Sequence, residues 1–285
     1  MRKKDKNMEK ENEQFRVLGN RLKAYKEDKK CLAFVSTVEG QGKGYIIEKM
    51  AMMLAKSNQK VLILDLNFLE NTLTKRYRLE TTEGFAELVQ QIENSPQVGN
   101  TRFTQQLGQV PAAYADYAKF LLKEFDPTTY ADYAKSLLKE LAPNIHLLAC
   151  GETATLKERM IFPEKVLGEV FESFKENFDY IFVEVPSFEY FSYTQTLTRL
   201  VDGALLVIKA GVISKEASGE LREQIESLGC DVLGSILNQT EKTFAKGEGL
   251  AQQRVVAKKR LFRKRAMHQI FVPKEEGTLG NTAYY

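Results

Sequence analysis

An α/β fold built on a doubly wound, mostly parallel sheet is what this sequence predicts, on three observations. Short continuous apolar runs recur along the chain, as strands covered on both faces require: residues 31–36 (CLAFVS), 60–66 (KVLILDL), 179–186 (DYIFVEVP), 203–210 (GALLVIKA) and 231–238 (DVLGSILN). Amphipathic segments at helical spacing, such as 164–177 and 215–228, lie between them. The first run also passes through a glycine-rich turn directly into a helical pattern, IIEKMAMMLAKS. Buried strands alternating with helices give a parallel sheet wound on both faces.

The totals agree with one main globular unit. The chain has 285 residues, 43% of them apolar, enough for a sizeable core. Its 41 basic and 38 acidic residues leave a net charge of +3, too little for bulk attraction to nucleic acid, so no nucleic-acid partner is expected. Cys31, Cys150 and Cys230 are far apart and lie in or beside apolar runs, which reads as three reduced core thiols. The basic N-terminus has no apolar region behind it, and no stretch of 18 apolar residues occurs. A cytoplasmic protein is expected, with the inner face of the cell membrane as its furthest reach.

Along the chain, residues 1–30 are densely charged, and Phe15, Val17, Leu18, Leu22 and Tyr25 recur at roughly helical spacing, which predicts a mostly exposed helix. Residues 31–241 form the α/β domain. Within it, residues 114–124 (YADYAKFLLKE) and 130–140 (YADYAKSLLKE) repeat with a shift of 16 and one mismatch in eleven. In the first copy Tyr114, Tyr117, Ala118, Leu121 and Leu122 share a helical face, and the second copy repeats them around a DPTT break, so a helical hairpin inserted over about 101–143 is expected. Two copies are too few for a solenoid. Residues 242–285 form a basic tail: seven of the twelve residues 254–265 are Lys or Arg, and Ala251, Val255, Phe262, Ala266 and Ile270 can share a helix face. Such a helix suits an anionic membrane surface, a protein partner or solvent.

The chemistry concentrates in the turn after the first run, STVEGQGKGY, residues 36–45. A glycine-rich loop at a helix N-terminus aims backbone N–H groups at phosphate oxygens, and Lys43 is placed to neutralise β and γ phosphates. The match to the Walker A pattern G-x-x-x-x-G-K-[ST] is imperfect, with Thr37 at the first glycine and Gly44 at the hydroxyl position.

The surrounding motifs resemble the cytoplasmic bacterial tyrosine kinases of capsule and exopolysaccharide assembly, the CpsD/CapB type, which are relatives of the MinD and ParA ATPases. Their first helix carries E-x-x-R-x-x-R, matched by Glu13, Arg16 and Gly19. Their P-loop, S-S-x-P-G-E-G-K-S-T, aligns with STVEGQGKGY, and their V-L-L-I-D-x-D-x-R with VLILDLNFL at 61–69. Their Walker B segment, Y-V-I-I-D-T-P-P, aligns with YIFVEVPS at 180–187. RLVDGALLVIKAGVISKEA at 199–217 follows R-L-V-D-G-x-L-L-V-V-R-A-G-x-x-S-x-E-A. The resemblance implies the P-loop NTPase fold of the MinD/ParA kind, ATP or ADP as the nucleotide, and Gly40, Gln41, Gly42, Lys43, Gly44, Tyr45 and Asn238 as its contacts. It implies that Asp65 and Glu184 are the catalytic acids and would manage Mg²⁺, and that Tyr284 and Tyr285 would be phosphoacceptors.

Several family groups are missing. Gly44 has no hydroxyl for Mg²⁺, so no intact metal site is expected and Gly44→Ser is expected to restore a ligand. Asn67 replaces an acid, Leu69 an arginine, Glu184 a shorter aspartate and Gly19 the last arginine of the helix motif; Tyr193 stands where Asp is common. Phosphoryl transfer depends on positioning and charge neutralisation, so these losses point to weak or absent turnover.

Three functions remain open on the sequence. The first is a degenerate, pseudokinase-like regulatory or scaffold component of capsular or exopolysaccharide biosynthesis. The second is an active ATP-dependent protein-tyrosine autokinase of polysaccharide export, and the third a MinD/ParA-like membrane-positioning ATPase. The resemblance implies a membrane-bound chain-length regulator or kinase activator as partner, and a homo-oligomer. The basic tail adds peripheral membrane contact as an expectation.

Overall fold

A strand with no polar face must be covered twice, and alternation along each strand decides which residue faces which layer. The computed structural model describes residues 3–25, 28–93, 127–152, 164–238 and 270–273. In chain order its elements are α1 (Lys3–Lys23), β1 (Cys31–Val35), α2 (Lys43–Lys56), β2 (Val61–Asp65), α3 (Thr72–Arg76), α4 (Phe85–Glu93) and α5 (Pro127–Ser136). They continue with β3 (Lys139–Ala142), β4 (Ile145–Leu148), α6 (Glu164–Lys175), β5 (Tyr180–Glu184), α7 (Phe191–Thr198), β6 (Gly203–Lys209), α8 (Lys215–Ser227), β7 (Val232–Asn238) and β8 (Ile270–Pro273).

The sheet order is β3-β4-β2-β5-β1-β6-β7-β8. The six inner strands are parallel, while β3 and β8 run antiparallel at the two edges. The fold class read from the sequence is therefore the one observed. Cys31, Ala33 and Val35 face one layer with Phe85 and Leu88 of α4, Phe171 and Phe174 of α6, and Leu221 and Ile225 of α8. Leu32 and Phe34 face the other, with Ile47, Met50 and Leu54 of α2. All three cysteines are free and buried.

The N-terminal helix is less exposed than its charge suggests. Phe15, Leu18 and Leu22, at i, i+3 and i+7, are buried in the layer that contains α2, and the Phe15 ring meets Tyr45 edge-on at 6.3 Å. Gly19 shares this buried face: a Cβ there would lie 3.5 Å from Leu54. Glu13 and Arg16 pair with each other on the exposed side.

The inserted repeat departs from expectation. Its first copy lies outside the described residues. The second begins a helix at Pro127, a position that needs no backbone donor, but that helix ends at Ser136 instead of running on to Glu140. Residues 139–142 instead form β3, which returns antiparallel to β4. Pro143 stops the strand and Asn144, at φ 66°, completes a two-residue turn that Asn tolerates. The local helical spacing loses to a sheet partner supplied by the following residues, and Lys139 and Glu140 leave the new edge charged. Ile270, expected on a helix face of the tail, opens β8 and pairs with Leu237. Residues 254–265 lie outside the described residues.

The docking of α1 rests on few large side chains, so Phe15→Ala is expected to lower unfolding free energy by about 3 kcal/mol in urea titrations. The exposed neighbour change Val17→Ala should stay within about 0.5 kcal/mol.

Candidate nucleotide site

In a parallel sheet wound on both faces the strand ends at the carboxyl edge face an open crevice, and that is where the loop lies. β1 is the central strand between β5 and β6. The chain leaves it at Ser36, turns through Gly40 (φ 75°) and Gly42 (φ 90°), and enters α2 at Lys43. Gly42 is required for space as well as backbone, because a Cβ there would meet Asn238 Nδ2 at 2.5 Å. No side chain caps the N-terminus of α2. Its first N–H groups are thus available to an anion, as a phosphate cradle demands.

Residues from distant segments lock the loop. Asn238, at the end of β7, donates Nδ2–H to the Gln41 carbonyl at 2.8 Å. The Gln41 side chain donates to Thr37 Oγ1 at 3.0 Å and accepts the Lys209 N–H at 3.0 Å, so it shapes the loop. Asn238 Oδ1 is buried without a partner, an acceptor available to a ligand amine. Lys43 is 3% exposed. Its ammonium donates to Ser36 Oγ at 2.9 Å and to Glu39 Oε2 at 3.0 Å. Glu39 also accepts the Ser187 N–H at 2.6 Å and the Asn67 amide at 3.2 Å. Burial raises the Glu39 carboxyl, but Lys43 and the Ser187 N–H outweigh it and hold the group below the ordinary glutamate range. Nearby Glu70 is pushed up by burial and by the Glu39 charge.

The two candidate acids sit side by side, because Asp65 and Glu184 are register partners at the ends of β2 and β5. Asp65 Oδ2 accepts both the N–H and the hydroxyl of Thr74 at 2.7 Å, which fixes the start of α3; Oδ1 is buried without a partner. Burial raises the Asp65 carboxyl above its usual range against these hydrogen bonds. Glu184 is pushed up to about 8, first by burial and then by the Asp65 charge. Its Oε2 is also unpartnered, and it lies 2.9 Å from where a Cβ on residue 44 would stand. The extra methylene of Glu184 thus fills the space that Gly44 leaves.

Over 82% of its length the chain is 21% identical to the tyrosine-protein kinase CpsD of Streptococcus agalactiae (strain NEM316), covering 84% of that protein. The kinase domain of the Escherichia coli tyrosine kinase ETK superposes with a TM-score of 0.55 at 14% identity, over 79% of this chain and 73% of that one. This is a bacterial tyrosine-kinase fold. The VpsO kinase domain gives 0.54 at 14% identity, over 82% of this chain and 97% of that domain. No family model matches the chain.

Within the kinase fold, the expected residues separate into three groups. Gly40, Gln41, Gly42, Lys43, Gly44 and Asn238 converge on one loop, and Asp65 and Glu184 lie beside it. Tyr45 stands apart, its ring against Phe15 and under Lys49 Nζ at 5.5 Å. Leu69 packs against the apolar core, so the charge of the family arginine has no successor there. Tyr193 lies within α7, and Tyr284 and Tyr285 lie outside the described residues. Glu39, Thr74 and Ser187 were not expected at the site. The spacing of Glu39 four residues before Lys43 was the available signal; the other two depend on tertiary contacts.

A magnesium ion of the kind the family motif implies does not fit the residues present. Residue 44 offers no side-chain oxygen, a Cβ there would stand 2.9 Å from Glu184 Oε2, and one Asp65 oxygen is committed to Thr74. Among the described residues no group of three His, Cys, Asp or Glu side chains could hold a metal. A side chain at residue 44 would bring its Cβ to 2.9 Å from Glu184 Oε2 and 3.3 Å from Leu73 Cγ, so Gly44→Ser requires these neighbours to shift.

Two outcomes follow from this contact. Gly44→Ser should lower stability by about 1–3 kcal/mol, and Glu184→Asp added to it should recover most of the loss, read as coupling in a double-mutant cycle. The second concerns pH. Below the ordinary value of 4.5 both states hold the Glu184 proton, whereas from 4.5 to about 8 only the folded state keeps it, so this group lowers stability as pH rises. Asp65 acts in the same sense; Glu39, depressed, stabilises above its unfolded value and loses that as pH falls. Glu184→Gln should therefore raise the melting temperature over wild type at pH 8 and leave it nearly unchanged at pH 4.5. An equal gap at both pH values would contradict the assignment.

Proposed function

We propose that this chain is a nucleotide-binding relative of the bacterial tyrosine kinases that has lost most or all phosphoryl transfer and acts as a regulatory component of capsular or exopolysaccharide assembly through protein contacts. The observation that carries the loss of catalysis is the Glu184 carboxyl in the space of a residue-44 hydroxyl. Transfer of a γ-phosphoryl group needs its charge neutralised in line with the acceptor, and this site lacks the metal ligand that would do so. Retained nucleotide affinity is supported by the uncapped start of α2, by Lys43 and by the unpartnered Asn238 Oδ1, an acceptor suited to an exocyclic amine.

The similarity to CpsD supports the polysaccharide setting, and with it a membrane-bound chain-length regulator as the partner. Among the described residues no helix is long and apolar enough to cross a membrane. The docking surface is best sought at the inserted segment around α5, which the kinase motifs do not account for.

Intact-mass measurement after incubation of the full chain with Mg·ATP should show no added phosphate, and ATP affinity should be the same with Mg²⁺ as with EDTA. A clear mass gain at Tyr284 or Tyr285 would establish the autokinase reading instead.

A further inference from the structure

The charge contact of Lys43 is made by a residue of the same loop that the Walker A pattern leaves unspecified. Glu39 Oε2 accepts from Lys43 Nζ at 3.0 Å and from Asn67 Nδ2 at 3.2 Å, and Oε1 accepts from the Ser187 backbone N–H at 2.6 Å. The three donors come from three segments: the start of α2, the loop after β2 and the loop after β5. An ammonium, an amide and a backbone N–H converging on the two oxygens of one anion is the set of partners a phosphoryl group would need. The pair is secluded, with side-chain exposures of 2% for Lys43 and 15% for Glu39. A buried ammonium without an anion is costly, so some negative group must hold this position. Glu39 does so.

We infer that Glu39 is the resident anion of the phosphate site, a stand-in for a terminal phosphate that a polyphosphate ligand must displace before it can use Lys43. The inference rests on the reading of this loop as a nucleotide site and deepens it by setting which ligands enter. Glu39 and a β or γ phosphate cannot share one ammonium, because two anions brought to the same donor repel each other. A nucleoside monophosphate places no phosphate at Lys43 and does not compete. The site therefore discriminates by phosphate number, and disfavours the triphosphate that a kinase needs. Displacement has somewhere to go: Gly40, the next residue, has nothing within 4 Å of the position of a Cβ, so the loop borders open space.

The test uses the full chain in EDTA, with calorimetric titration of ATP, AMP and inorganic tripolyphosphate into wild type, Glu39→Gln and Glu39→Asp. Glu39→Gln should bind ATP and tripolyphosphate at least about tenfold more tightly than wild type, with AMP unchanged. Glu39→Asp, which keeps the charge but withdraws it by one methylene, should fall between them and carries the comparison if the glutamine variant does not fold. In phosphate-free buffer Glu39→Gln should melt below wild type, because Lys43 loses its counter-ion, and tripolyphosphate should restore its melting temperature but leave wild type nearly unmoved. Equal ATP affinity in wild type and Glu39→Gln overturns the inference and leaves the nucleotide reading standing. Tighter tripolyphosphate binding by Glu39→Gln, with ATP bound no better than tripolyphosphate, upholds the inference and removes the nucleotide reading. Absence of binding by every ligand to either variant overturns both.

Discussion

An ammonium group enclosed at the end of the central strand sets the terms for everything around it. Lys43 enters its position because β1 ends at Val35 and the glycine turn delivers α2 directly behind it. Once there it is nearly cut off from water. A cation in that setting survives only with an anion against it. The loop supplies one from within itself, and the segments after β2 and β5 are drawn in to complete the shell through Asn67 and Ser187. The loop and the folded core are thus one electrostatic unit.

The second constraint is volume. Gly44 and Glu184 are far apart in sequence, yet one lacks a side chain where the other is a methylene longer than the related kinases commonly have. Taken singly, each looks like damage to a catalytic motif. Together they form a filled contact with a carboxyl whose pKa is raised by burial and by Asp65. A site that had simply decayed would leave a gap; here the packing is closed. The two positions fit each other across the end of β5 and the start of α2.

Much of this was legible in the sequence. The five apolar runs, the helices between them and the glycine turn fix the sheet and the loop because burial on both faces and positive φ each leave a plain residue signature. Lys43, Asp65, Glu184 and Asn238 fall where the motifs place them. What escaped reading depended on partners distant in the chain. Residues 139 and 140 continue a helical spacing, yet 139–142 become a strand because Pro143 and Asn144 fold the chain back on itself. Ile270 fits a helix face equally well and is claimed by β7. Thr74 and Ser187 show nothing in their neighbourhoods that marks them as contacts of Asp65 and Glu39. Glu39 was visible as a charge four residues from Lys43, but a charge in a solvated turn has the same spacing and only the burial of Lys43 distinguishes the two.

The strand β8 changes which edge the sheet presents beside the loop. β7 ends at Asn238, whose side chain holds the Gln41 carbonyl, and β8 pairs antiparallel with it from Gly234 to Leu237. The strand that fastens the loop is therefore an inner one, its backbone groups satisfied on both sides instead of offered to another chain.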